Sequence, residues 1–240
     1  MGVVSLYIHR CSLAFTDFYM ILYHGSEREI KKPYYRGSRP HNDYGYGFYC
    51  TQYPDLAREW AVSDDHEGFI NCYNFDDTGL SVLNLNTYPI LTWLSILLIN
   101  RTFVIETPLA AAAKEYIISE FGIDYEKYDV IKGYRADDSY FSFAQDFINN
   151  TISVAQLNNA MHLGDLGDQM VLKSEKAFSK ISFDTAEHVP FEPWLSKKNE
   201  RDKRARDAYF AIDKDSYVPG GIYVVNIIDE GIKTHDPRIR

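Results

Sequence analysis

Leu22-Tyr23-His24-Gly25-Ser26 and Tyr44-Gly45-Tyr46-Gly47-Phe48-Tyr49-Cys50-Thr51 are the two strings on which the fold of this 240-residue chain turns. Residues 20–23 form a short apolar run that ends in a polar His and a Gly, the pattern of a strand whose last residues face a pocket. In the second string glycines alternate with aromatics ahead of Tyr49 and Thr51, which reads as a bend entering another strand. Thr51-Gln52-Tyr53-Pro54-Asp55 then reads as a helix start, with Pro54 near the first helical position and Asp55 well placed on the helix dipole. Ala57, Trp60 and Ala61 share one face of that helix, so Tyr49 and Trp60 are expected to face each other across a slot. His24 is expected at the strand end, with the bare Gly25 amide open to a ligand. Taken singly, each has a plainer reading: a structural histidine and two core aromatics. Gly45-Tyr46-Gly47 is not a dinucleotide fingerprint, because Cys50 stands where a third glycine is required and no helix follows at once.

At these residues the chain resembles the ADP-ribosyltransferases related to the poly(ADP-ribose) polymerases. Their motif is His-Gly-Ser on one strand, Gly-x-Gly-Ile/Val-Tyr-Phe on the next, and an aromatic on the following helix. His24-Gly25-Ser26 and Gly45-Tyr46-Gly47-Phe48-Tyr49 match the first two parts, and Trp60 stands eleven residues after Tyr49, the family's spacing for its second stacking aromatic. The likeness is nearest to a bacterial group of small proteins in that superfamily, which also carry segments like Val130-Ile131-Lys132-Gly133-Tyr134-Arg135 and Gln169-Met170-Val171-Leu172-Lys173-Ser174. It runs from about residue 20 to residue 183.

The resemblance implies an α+β fold, an ADP-ribosyltransferase-like split β-sheet core with surrounding helices, and NAD consumed as substrate without a metal. Cleavage of the nicotinamide–ribose bond passes through an oxocarbenium-like state, as glycoside cleavage does. The nicotinamide ring is a cation before cleavage and neutral after it, so Tyr49 and Trp60 would hold it by stacking and cation–π attraction. The Gly25 backbone would fix the carboxamide, His24 would bond the adenosine ribose, and Ser26 completes the NAD-binding string. In the polymerases a Glu on a later strand stabilises the developing cation; here Gln169 takes its place, without charge and without basicity. A single ADP-ribose transfer, or hydrolysis, is therefore expected rather than polymer synthesis. Asp137 or Asp138 is the other candidate source of charge, though the pair reads equally as a helix cap. Arg39 precedes the Gly-x-Gly string as a similar Arg does in family-like proteins, and would either pair with the NAD pyrophosphate or simply solvate its loop. An NAD glycohydrolase and a non-catalytic NAD or ADP-ribose module are the alternatives. The acceptor, protein or nucleic acid or small molecule, is left open.

Outward from this centre, 45% hydrophobic and 15% aromatic residues suffice for one well-packed domain. A net charge of −9 argues against broad affinity for nucleic acid or anionic membranes. Cys11, Cys50 and Cys72 form no paired or metal-ligand spacing, which suits small buried residues and a reducing cytoplasm. Residues 1–19 read as an N-terminal extension without signal-peptide character, with Met20 the suspected original start. Residues 20–190 form the transferase-like domain, and residues 191–240 a charged helix and C-terminal segment packed on it. Strands are expected at 68–75, 80–85, 129–134, 169–174 and 180–185. Helices are expected at 88–99, 107–121, 138–149 and 153–162, the first too short to span a bilayer and so buried. Residues 197–214 read as a solvated helix of mixed charge, and 222–228 as a final strand after the turn Pro219-Gly220-Gly221.

Overall fold

The computed structural model describes residues 19–136, 138–163, 167–211 and 218–239. Residues 1–18, which make up almost all of the expected extension and include Cys11, lie outside the described residues. Strands β1 (Met20–Ser26) and β2 (Phe48–Thr51) are followed by helix α1 (Pro54–Ala61), which starts with its proline in the first turn as expected. Then come β3 (Gly68–Phe75), the three-residue β4 (Val82–Asn84), and helices α2 (Ile90–Asn100) and α3 (Pro108–Phe121). The Thr107 side chain accepts from the Ala110 amide and so caps α3. Beyond it lie β5 (Val130–Tyr134), α4 (Asp138–Ile148), α5 (Val154–Ala160), β6 (Asp168–Leu172), the single turn α6 (Glu175–Phe178), β7 (Ile181–Val189), α7 (Phe191–Phe210) and α8 (Val224–Asp229). The seven strands make one open sheet in the order β4-β5-β6-β2-β1-β3-β7, antiparallel except for the parallel pair β4 and β5. Mixed pairing with helices gathered around it makes the domain α+β.

Strand alternation sorts the sheet into two faces. Tyr49, Ile131 and Val171 point into the larger core, which α2, α3, α4 and α5 fill with residues such as Trp93, Phe121, Phe143 and Leu157. Their chain neighbours Phe48, Cys50, Val130, Met170 and Leu172 join Leu22, Tyr73 and Phe75 on the opposite face. Nine residues of α2, from Ile90 to Leu98, are buried, so its apolar run is that of a core helix surrounded on all sides. No helix of the described residues is long and apolar enough to cross a membrane.

Three expectations are corrected. Residues 222–228 do not form a strand: Tyr223 and Asn226 build a capping box, and Val224 and Ile227 bury one side of α8 in the larger core beside α3. A short apolar run carries the same signal for a buried strand and a buried helix. Cys50 is buried, but Cys72 is only partly so. Last, α7 is not a simply solvated helix, because Arg201, Ala205 and Tyr209 recur every four residues as a buried face.

Arg201 Nε donates to Glu59 Oε2 of α1 at 2.7 Å, with the two side chains 7% and 10% exposed. Removing one partner from such a pair strands the other charge in low dielectric, at a cost of about 3 kcal/mol. Glu59→Ala is therefore expected to lower the melting temperature by roughly 6–12 °C, measurable by circular dichroism. An unchanged melting temperature would show that this pair does not anchor α7.

Candidate functional site

β1 pairs with β3 through all of its residues, from Met20 to Ser26. It pairs with β2 at a single register, Tyr23 with Thr51, and beyond that point the two central strands part. A continued ladder would have supplied the Tyr49 carbonyl with a backbone donor. Instead the His24 side chain crosses the gap, with Nδ1 2.6 Å from that oxygen. A carbonyl can only accept, so the proton sits on Nδ1 and the neutral ring offers Nε2 as an acceptor. Burial holds the His24 pKa below its ordinary value of 6.5, against the opposing pull of the Tyr49 carbonyl. As pH falls, the unfolded chain therefore takes up this proton first. His24 costs no stability well above 6.5 and progressively more below it, down to its folded value.

The parting opens into a cleft of about 890 Å³ lined by His24, Gly25, Tyr49, Trp60 and Gln169, five of the residues expected in the site. By alternation His24 shares the face of Leu22, whereas Tyr49 and Gln169 share the face of Val171. They meet because the cleft passes through the sheet where β1 and β2 separate. The Tyr49 hydroxyl is already engaged: it donates to the Gly45 carbonyl at 2.7 Å and accepts from the Tyr44 amide at 3.1 Å. It thereby clamps a turn in which Gly45 has φ +71°, a conformation that favours glycine. Trp60 carries the Arg135 guanidinium 4.7 Å from its ring centre, so one indole face holds a cation supplied by the protein itself. The Trp60 Nε1–H is buried and meets no acceptor among the described residues. Tyr49 and Trp60 are not in ring contact with each other.

Gly25 has a packing reason that the sequence did not disclose. A Cβ there would fall 2.0 Å from the Ala57 carbonyl oxygen, so the missing side chain is what lets α1 seat against β1. Ser26 does not line the cleft; its hydroxyl donates to the Arg28 carbonyl and accepts from Asn71 Nδ2. Arg39 is exposed and also stands outside the lining. Asp137 lies outside the described residues, and Asp138 is described only as the first residue of α4.

The charges that do line the cleft are ones that sequence reading passed over. Arg28, Lys31, Lys32, Arg101, Arg135, Lys198 and Arg206 face it, against Glu29, Asp43 and Asp202. In a chain of net charge −9 this is a local basic surface suited to an anionic ligand. Lys198, Asp202 and Arg206 come from α7, so the charged helix forms part of the wall.

Asp43 is the least expected of them. Only 6% exposed, it takes Arg101 Nη1 on Oδ1 at 2.7 Å, and on Oδ2 the Ala136 amide at 2.8 Å and Gln169 Nε2 at 3.0 Å. Burial raises its pKa from the ordinary carboxylate value, opposed by the Ala136 amide, Arg101 and Gln169. In sequence, Asn42-Asp43 before Tyr44-Gly45 has the composition of any polar turn, and its one signal was adjacency to the glycine string. Among the described residues no group of three or more His, Cys, Asp or Glu is placed to hold a metal ion.

A family model described as "Protein of unknown function (DUF3990)" matches residues 20–183, from the first strand to within β7, and the chain belongs to that family. No curated protein and no solved structure matches it.

Proposed function

We propose that the protein binds NAD in this cleft and cleaves the nicotinamide–ribose bond, passing one ADP-ribose to an acceptor. The reading rests on the resemblance of its motifs to the polymerase-like ADP-ribosyltransferases. The observation that supports it is the convergence of His24, Gly25, Tyr49, Trp60 and Gln169 on one cleft where β1 and β2 part. A volume of about 890 Å³ suits a ligand of dinucleotide size. Its basic lining suits a pyrophosphate, with Arg28, Lys31 and Lys32 in the place foreseen for Arg39. The split sheet of the transferase fold is the corresponding architectural proposal.

In this reading His24 Nε2 accepts from a ribose hydroxyl, and the Tyr49 ring supports the nicotinamide face. Bond cleavage sends the C–N electron pair to the nicotinamide ring nitrogen, which becomes neutral, and leaves positive charge on the ribose C1′ and ring oxygen. An acceptor hydroxyl or water then bonds C1′ and releases its proton. Gln169 is no base, and an acceptor proton lost directly to solvent fits a single transfer better than repeated elongation.

The test is incubation of the purified protein with adenylate-labelled NAD and a bacterial lysate, beside His24→Ala and Gln169→Ala variants, following nicotinamide and labelled macromolecules together. Label that requires His24 is the expected result. Nicotinamide without label would replace the transferase with a glycohydrolase. NAD binding without either product would leave a non-catalytic module, the reading that an uncharged residue at 169 favours. Failure to bind NAD at all would overturn the proposal.

A further inference from the structure

Gln169 has its amide orientation imposed on it. Its Nε2 faces two acceptors, Asp43 Oδ2 at 3.0 Å and the Tyr134 carbonyl at 3.1 Å. Flipping the amide would set its oxygen against both of them, so nitrogen and oxygen are distinguished by the network itself. The Tyr134 carbonyl is held in turn by the Tyr44 hydroxyl at 2.6 Å and Trp93 Nε1 at 3.3 Å, both deep in the core. Gln169 Oε1 takes no hydrogen bond from any described residue and is not sealed from solvent, on a side chain that lines the cleft. The side chain therefore presents a fixed, unshared acceptor to a ligand, with a carboxylate bonded directly behind it.

All three partners of Asp43 donate, which is the pattern of an ionised carboxyl. Keeping that charge in a site only 6% exposed costs folding free energy, and nothing in the packing requires it, since Arg101 is itself near the surface of the cleft. Such a costly, well-satisfied charge beside a cleft is more typical of a functional site than of a core.

The geometry points to Asp43 as a positioning residue that, with Gln169, forms a two-residue substitute for a single carboxylate. Asp43 locks and polarises the Gln169 amide, so that Oε1 accepts from a ribose hydroxyl and faces the positive charge that develops at C1′. The negative charge sits one hydrogen bond behind the acceptor, and no proton passes to either group. Asp43 comes from the β1–β2 connection and Gln169 from β6, so the pair exists only in the folded chain. The inference rests on the NAD-cleaving reading above.

The test is a charge relocation. In Asp43→Asn the new amide nitrogen or oxygen cannot satisfy Arg101, the Ala136 amide and Gln169 together, and the Gln169 amide is released. Nicotinamide release is expected to fall roughly 10- to 100-fold in kcat with KM for NAD little changed. Gln169→Glu sets two carboxylates side by side, so its activity is also low at neutral pH and improves as the pH is lowered. The double variant Asp43→Asn with Gln169→Glu restores activity to within about tenfold of the native protein, because the amide now stands behind and the charge in front. Full kcat in Asp43→Asn, or no rescue in a double variant whose melting temperature is native, would overturn the inference. A native protein that neither binds nor cleaves NAD would instead overturn the functional reading. The pair is then judged without ligand by NMR: the Gln169 Nε2 protons are expected to follow the Asp43 titration in the native protein. Protons that ignore that titration, or exchange as freely as those of an exposed glutamine, would refute the positioning role by themselves.

Discussion

Gly25→Ala is expected to lower the melting temperature by roughly 6–12 °C and to abolish NAD binding. The added Cβ would lie 2.0 Å from the Ala57 carbonyl oxygen, 2.7 Å from the Ala61 nitrogen and 2.9 Å from the Trp60 Cβ. The first two are backbone atoms of α1, so no side-chain rotation relieves the contact. Overpacking of this kind costs about 3 kcal/mol, and each kcal/mol moves the melting temperature of a chain this size by roughly 2–4 °C. Relief comes only by moving α1 off β1, and α1 carries Trp60 into the cleft and Glu59 to its partner on α7. One methyl group thus disturbs both the wall of the site and the anchor of the charged helix. Thermal denaturation and calorimetric titration with NAD check the two halves separately. A native melting temperature would show that α1 does not press on β1 as described. A loss of stability with native NAD affinity would remove Gly25 from the binding site.

His24→Ala is expected to weaken NAD binding about 100-fold, equivalent to about 2.7 kcal/mol, and to cost about 1–3 kcal/mol of stability. The stability loss has a named cause: the Tyr49 carbonyl loses the donor that replaced a ladder bond, and Phe48 loses a ring whose centre lies 4.5 Å away. The binding loss comes from the other nitrogen, Nε2, an acceptor only while the ring is neutral. Since burial lowers the His24 pKa, NAD affinity in the native protein is expected to stay level from pH 8 to about 6.5 and to decline at lower pH. The His24→Ala variant should lack the part of that decline due to this ring. Calorimetry across the pH range decides the matter. Reduced stability with native affinity would leave His24 as a brace across the parted strands and nothing more.

The local elements were legible because their signals are local. Pro54 in the first turn of α1, Thr107 capping α3, and the apolar run of α2 each describe a contact within one stretch of chain. His24, Gly25, Tyr49, Trp60 and Gln169 were legible for a different reason: a motif with two strands and a helix at fixed spacing limits where its members can meet, and all five line the cleft. Where two structures share one signal, sequence reading failed. An apolar run of seven residues serves a buried strand or a buried helix alike, and residues 222–228 were settled by the Tyr223–Asn226 capping box and the core they fill. Mixed charge on α7 looked like solvation until Arg201 met Glu59 across more than a hundred residues of chain. Asp43 had no signal at all beyond its position. A carboxylate in a polar turn is commonplace, and its meaning lies in Arg101, Ala136 and Gln169, each brought to it from a distant part of the chain. Residue order by itself determined which groups are offered to the cleft. Tertiary packing alone decided which of the charges stand in it, because an electrostatic environment is a property of distances and burial rather than of sequence separation.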